Sequence, residues 1–289
     1  MRRDIPPSLR HEIKVSGLES CRALYASRPG DITRIYVIDR MERNLQDVLT
    51  WAERNDVESY TVTIDELSAF TETVHHDGVC FVARKKRDSA IADIEHWLAD
   101  RSRSAALMLL DGVKNPNNVG AVARSCAFFG VPYLAATPNT AMFSQAAVRV
   151  AQGATEAVGY IPLKSTSSAL AIFSKLGITL VTTSSHGGTP LHETPLPARS
   201  IICLGSENAG VSAEIEKAAI VRVTIPGAGR LESLNLAQAA SILLWEHWRV
   251  HRANESRPAP RATSNTSRSG GSRDAPSRHR SATKPGPRR

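Results

Sequence analysis

The chain has 289 residues, 42% of them hydrophobic, and a formal net charge of +8, a length that suggests one large or two modest domains. Ten of the 36 Lys and Arg but only two of the 28 Asp and Glu fall in residues 251–289, so the preceding part of the chain is neutral and the excess charge belongs to its end. No apolar run reaches membrane-spanning length, and the opening MRRDIPPSLRHEIK lacks the apolar segment of a secretory signal, so a soluble cytoplasmic protein is expected.

Residues 8–88 read as a small α/β unit. Val15-Ser16-Gly17-Leu18 leads into a helical pattern through Leu24 and Tyr25 that breaks at Pro29-Gly30. A strand is predicted over Ile32–Ile38, then a helix over Leu45–Asn55 with Leu45, Val48, Leu49 and Trp51 inward. Val57–Ile64 reads as a second strand and Val79–Ala83 as a third. The neighbouring His75 and His76 have no third ligand at helix or hairpin spacing, so no metal is expected there. Residues 89–104 form a linker with a short helix over Ala90–Arg101. It follows the basic run Arg84-Lys85-Lys86-Arg87, which reads as a solvated hinge or as the lining of a cleft that takes a polyanion.

From 105 to 250 strand and helix alternate as a parallel sheet requires. Ala106–Leu110, with Asp111-Gly112 as the turn after it, Tyr133–Ala136, Val158–Pro162, Ile178–Thr183, Ile201–Leu204 and Val221–Ile225 are predicted strands. Helices are predicted over Val119–Phe129 with Gly130 ending it, over Gln145–Gln152, over Ser168–Leu176 with Ser165 as cap, and over Ala213–Ala219. The last, Leu236–Trp248, is apolar on nearly every side, so protein or a partner subunit should cover both faces. Three strand ends release polar, glycine-bearing loops, and ligands of open α/β sheets bind at the carboxyl ends of strands. The loops hold Asn118, Arg124, Glu207, Ser233 and Asn235, short hydrogen-bonding groups with one buried-looking cation. No G-x-G-x-x-G after a strand, no G-x-x-x-x-G-K-[ST] and no G-x-S-x-G occurs. Four scattered cysteines, Cys21, Cys80, Cys126 and Cys203, contain no C-x-x-C and are expected as buried thiols. Residues 251–289, rich in Ser, Pro, Gly and Arg, are expected to be disordered, either as a solubilising tail or as a non-specific phosphate contact.

Asn115-Pro116-Asn117-Asn118-Val119-Gly120-Ala121 through Arg124, Leu204-Gly205-Ser206-Glu207-Asn208-Ala209-Gly210, and Ile225-Pro226 through Ser233-Leu234-Asn235 resemble the three successive motifs of the SpoU/TrmH family of RNA ribose 2′-O-methyltransferases. They stand in the family's order over roughly residues 105–250. The first segment is similar to the family's N-terminal substrate-binding domain through Val15-Ser16-Gly17 and His76-Asp77-Gly78, although Asp77 replaces a common glutamine. The arrangement is closest to the YfiF-like branch.

The resemblance implies a parallel-sheet domain whose C-terminal stretch is threaded as a trefoil knot and binds S-adenosylmethionine. The backbones of Gly205, Ile225 and Leu234, with Pro226, Gly227, Ser233 and the Thr183 loop nearby, would hold that cofactor. It also implies a homodimer, with Trp245 and Trp248 as interface anchors or as core. A ribose hydroxyl is a weak nucleophile at neutral pH, so the protein must position it and stabilise alkoxide charge. The resemblance assigns Arg124 to activating the 2′-hydroxyl, and because a guanidinium is always protonated the expected role is to stabilise the alkoxide or pass the proton to a neighbouring phosphate; a structural Arg124 paired with a carboxylate such as Glu207 is the alternative. Asn118 would orient Arg124 and the ribose, Glu207 would fix loop geometry, and Ser233 and Asn235 would hold phosphate or cap the helix. The implied substrate is tRNA or rRNA, and a 2′-hydroxyl target excludes DNA. An RNA-binding or ribosome-associated protein that has lost turnover is the alternative of another class, and base methylation a third.

Overall fold

Four short β-rich stretches near the N-terminus pair into one mixed sheet. They are β1 (Glu12–Ser16), β2 (Ile32–Val37), β3 (Glu58–Thr61) and β4 (Val79–Arg84). β4 lies antiparallel between β1 and β2, and β3 runs parallel to β2 at the edge. Helices α1 (Leu18–Ser27), α2 (Gln46–Arg54) and α3 (Ile64–Thr71) accompany it. Leu24, Ile35, Leu45, Val48 and Phe81 are fully buried at its centre. The structure is a computed structural model that describes residues 11–251 apart from 139, 142 and 186. The described residues belong to one compact unit; residues 8–10 and the arginine-rich end from residue 252 lie outside them.

The predicted strand over Val57–Ile64 is corrected. Only Glu58–Thr61 pair, all four exposed, and Ile64 opens α3 instead. Thr63 accepts from the Glu66 amide while Glu66 bonds back to the Thr63 amide, a capping box that stabilises a helix start against the β-propensity of Val62 and Ile64.

After α4 (Ile91–Trp97) comes the larger sheet: β5 (Ala105–Asp111), β6 (Tyr133–Ala136), β7 (Gly159–Pro162), β8 (Thr179–Thr183), β9 (Thr189–Pro190), β10 (Arg199–Gly205) and β11 (Val221–Thr224). Its order is β7-β6-β5-β10-β8-β11-β9, with every pairing parallel. All seven residues of β5 are buried, as a strand covered on both faces requires. On one face α5 (Pro116–Phe128), α6 (Gln145–Ala151), α7 (Ala154–Ala157) and α10 (Leu236–His251) enclose a core around Met108, Val122, Ile202 and Leu243. On the other, α4, α8 (Thr166–Lys175) and α9 (Ala213–Ala218) cover Leu107, Leu109, Phe173 and Ile201. The chain steps from β5 outward through β6 and β7, then places β8 and β10 on the opposite side of β5. The carboxyl ends of β5 and β10 therefore flank a switch in strand order, where an open α/β sheet leaves a crevice.

The two sheets meet across α6 and α7. Gln145 donates to the Thr71 carbonyl at 2.8 Å, Ser20 to the Val148 carbonyl at 3.2 Å, and Arg28 grips Glu156 through two bonds of 2.7 and 3.0 Å. The Lys86 ammonium donates to the carbonyls of Thr155 and Glu156 at 2.8 and 2.6 Å. At Lys86 the basic run is thus part of a structural staple, and Arg84 donates to the Gly30 carbonyl at 2.7 Å, while the side chains of Lys85 and Arg87 make no hydrogen bond or ion pair among the described residues. α10 buries Leu236, Ala240, Leu243, Leu244 and His247, but Ile242 and Trp245 are exposed, so its second face is open in the single chain.

Candidate functional site

The loops leaving β5, β10, β8 and β11 rise from strands that are neighbours in the sheet, so stretches far apart in sequence emerge side by side. After β5, Asn115 caps α5 by accepting from the Asn117 amide at 3.0 Å, with Pro116 in the first turn. This cap brings Asn118, a buried amide, to the strand-end face. The Asn118 amide nitrogen donates to a Glu207 carboxylate oxygen, and the Asn118 carbonyl oxygen accepts from Asn235 at 3.4 Å. Asn235 also accepts from the Ala237 amide at 2.9 Å and so caps α10. One amide thereby joins residues 89 and 117 positions further along the chain.

Tight backbone geometry fixes the second stretch. Ser206 and Gly210 exchange two backbone hydrogen bonds of 3.0 and 2.9 Å. A Cβ on Gly205 would lie 1.9 Å from the Gly210 carbonyl carbon, so only glycine fits there. Gly205 pairs in register with Asp111 on β5. In the third stretch, Ile225, Pro226, Gly227, Ser233 and Leu234 are at least partly exposed. Past the Leu191 amide's bond to the Thr224 carbonyl, no backbone hydrogen bond within the described residues engages Ile225 or Leu234. Such unpartnered amides and carbonyls suit a ligand read through main-chain groups. Thr183, at the end of β8, donates to the Cys203 carbonyl at 3.2 Å, tying that loop to β10.

Arg124 requires correction. It is exposed rather than buried, because it lies on the stripe of α5 that also carries Asn117, Ala121 and Phe128 rather than on the face turned to the sheet. Glu207 bonds to Asn118, so the alternative Arg124–Glu207 pair is not formed; Asn118 is held by Glu207 and Asn235 rather than by Arg124. Among the described residues Arg124 has no ion pair, nor do Lys114 and Arg230 on the neighbouring loops. Ser233 caps nothing; Asn235 does. On α5 the residue after Arg124, Ser125, bonds to Ser241 of α10 at 2.8 Å, which fixes the helix pair. Gly120 permits α5 to touch α6, since a Cβ there would lie 2.3 Å from the Ala147 carbonyl oxygen.

Sequence reading passed over Asp111, taken as part of a turn. It is a buried carboxylate that accepts from Thr137 at 3.0 Å and from the Ser212 amide at 2.7 Å. An aspartate closing an otherwise apolar strand was the available signal. Burial pushes the Cys126 and Cys203 thiols up, which removes them as nucleophiles. His76 is a structural residue: its Nδ1 accepts from the Gly78 amide at 3.0 Å, its Nε2 meets Ser68, and burial lowers its pKa. Two cavities lie at the seam between the sheets, bordered by Arg28, Lys86 and Glu156 in one and by Arg149 in the other. Arg28, Lys86 and Arg149 already have partners, while the Lys85 side chain, which also lines the first cavity, makes no hydrogen bond or ion pair among the described residues. The strand-end face is therefore the stronger candidate.

Residues 105–245 match the SpoU rRNA methylase family, and residues 14–89 match a domain described as RNA 2′-O ribose methyltransferase substrate binding. The chain is 34% identical, over 84% of its length and 69% of the relative's, to a protein of Escherichia coli O157:H7 described as an uncharacterized tRNA/rRNA methyltransferase, YfiF. It covers 65% of a Haemophilus influenzae relative of the same description. It is 31% identical to the 23S rRNA (guanosine-2′-O-)-methyltransferase RlmB of Coxiella burnetii, over 85% of this chain and 97% of that one. In fold it is similar to the SpoU methyltransferase AviRb of Streptomyces viridochromogenes, solved in complex with the cofactor AdoMet. That likeness has a TM-score of 0.71 at 20% identity and covers 86% of this chain and 94% of the other.

Proposed function

The chain belongs to the SpoU methylase family, and from that premise we propose that it transfers a methyl group from S-adenosylmethionine to a ribose 2′-hydroxyl of tRNA or rRNA. The observation that carries this reading is the hydrogen-bonded chain Glu207–Asn118–Asn235, which draws three loops onto one face at the start of the helix that also carries Arg124, an exposed arginine with no ion pair among the described residues. S-adenosylmethionine supplies a methyl group already activated on a sulfonium, so the protein needs no metal for the transfer. The main-chain groups of Gly205, Ile225 and Leu234, with Pro226, Gly227, Ser233 and Thr183 around them, hold it. The transfer breaks the sulfonium–methyl bond, leaves S-adenosylhomocysteine and sends the hydroxyl proton to a neighbouring RNA phosphate, while Arg124, an exposed guanidinium able to reach that sugar-phosphate, stabilises the developing 2′-alkoxide by charge. Asn118 and Glu207 keep loop and ribose in place. Asn235 anchors the start of α10, leaving Ser233 to a phosphate.

In this reading residues 8–88 present the RNA, residues 89–104 link, residues 105–250 carry the transfer with the C-terminal stretch threaded as a trefoil knot, and the basic end of the chain adds phosphate contacts. The working form is a homodimer: Phe128 is 76% and Trp245 48% exposed, and an aromatic run from Phe128 through Phe129 to Trp245 and Trp248 lies open across α5 and α10. The protein acts in the cytoplasm; among the described residues no helix is long and apolar enough to cross a membrane. Calorimetric titration with S-adenosylmethionine, followed by mapping of ribose methylation in total RNA from cells with and without the gene, tests the reading. Binding together with one or more lost 2′-O-methyl sites is expected. Absence of binding would leave an RNA-binding protein without turnover.

A further inference from the structure

We propose that Asp111, with Thr137, is the positioning residue that locks the β10 exit loop, and with it the cofactor-holding backbone of Gly205, to the exit of β5. The inference rests on the functional reading above and extends it to residues outside the three motifs. Asp111 stands opposite Gly205 in the parallel register, at the switch in strand order. Its two oxygens hold two different loops. One accepts from Thr137, just past β6; the other accepts from the Ser212 amide, which closes the loop that begins at Gly205. Thr137 and Thr140 in turn both accept from the Gly112 amide at 3.0 Å, and Thr140 donates to the Leu110 carbonyl at 3.1 Å. Three strand exits are thus tied through one carboxylate.

Asp111 is 8% exposed, and no lysine, arginine or histidine pairs with it among the described residues. A buried carboxylate without a cation is costly, so its hydrogen bonds must be nearly complete. An unfilled place in this set would free Ser212 and loosen the Gly205–Gly210 turn. A carboxylate suits the position because both neighbours donate. An asparagine could still accept from the Ser212 amide and donate to the second acceptor site of the Thr137 hydroxyl, so Asp111→Ala, which removes both acceptors, is the change that breaks the tie.

The test uses the full chain, with S-adenosylmethionine affinity by titration calorimetry, amide hydrogen exchange without ligand, and thermal melts as a check of folding. D111A is expected to bind about tenfold or more weakly, and its exchange should be faster over Gly205–Ser212 while the amides of β2 and β4 keep wild-type protection. T137V should lose affinity in the same direction, and T137S, which keeps the hydroxyl, should bind as wild type. D111A with wild-type affinity and unaltered exchange over Gly205–Ser212 would overturn the proposal, as would T137S matching T137V. Because exchange is read without ligand, failure of the wild-type chain to bind S-adenosylmethionine would sink the functional reading while the exchange data still judged the tie.

Discussion

The seam between the two sheets and the strand-end face of the larger sheet use charge in opposite ways. At the seam three cations have work inside the fold: Arg28 holds Glu156, Lys86 holds the carbonyls at the end of α7, and Arg149 holds Thr73. On the strand-end face the neutral amides and the Glu207 carboxylate bond to one another, while Arg124, Lys114 and Arg230 are left to solvent. Both regions are rich in polar groups, yet the seam consumes them for rigidity and the strand ends hold cations in reserve for an anionic ligand. Composition alone does not separate these uses, since buried pairing and open reserve draw on the same residue types.

Exchanging the effects of mutation across the two regions breaks this contrast. Arg124→Ala should lower methyl transfer by about 10²–10³-fold or more while thermal stability and S-adenosylmethionine affinity stay near wild type. A large fall in melting temperature would place Arg124 with the structural cations instead. Arg28→Ala should do the reverse. Removing one partner of a pair whose side chains are only 16% and 8% exposed should cost about 3–5 kcal/mol, read as a shift in the urea midpoint, with cofactor affinity little changed in the folded protein. Gly120→Ala joins the regions, because a Cβ 2.3 Å from the Ala147 oxygen must push α6 from α5. A loss of about 1–3 kcal/mol is expected, together with a smaller loss of transfer rate, and melts and kinetics read the two separately.

The pH response sharpens the contrast from the first sheet. Burial lowers the His76 pKa from 6.5, so the folded chain favours the neutral ring and the unfolded chain takes up the proton first on acidification. The stability from this group is therefore complete above about pH 6.5 and falls as pH drops towards the folded-state value, by at most about 1.4 kcal/mol per unit. Melts of wild type and His76→Asn between pH 7.5 and 5.5 should converge on acidification; parallel curves would count against it. The smallest effect belongs to the reserve cations. Lys114→Ala and Arg230→Ala should each reduce the salt slope of RNA binding by about one and leave melting unchanged, and an unaltered slope would remove that residue from the phosphate-contacting set.

Much of the larger sheet was legible because β5 and β10 are nearly unbroken apolar runs with glycine or polar residues at their ends, and β8 is rich in β-branched residues. The first sheet was less so. Edge strand β3 is short and exposed, leaving no periodic signal, and the Thr63–Glu66 capping box starting α3 was hidden under β-branched neighbours. At the candidate site the residue types and loops could be read, but the partners could not. Asn118 was expected to serve Arg124 and bonds instead to Glu207 and Asn235, and Asp111 looked like a turn residue because its function depends on Ser212 and Thr137, each distant along the chain.

The sequence by itself determined which segments become buried parallel strands, which glycines the tight loops need and which polar side chains stand at strand ends, because hydrophobic period and local backbone sterics act within a few residues. The tertiary structure alone decided that β10 lies between β5 and β8, that Arg28 and Lys86 are spent at the seam, and that Arg124 faces outward. Those outcomes depend on strand order and helix rotation, which bring together groups about a hundred positions apart and which no local pattern encodes.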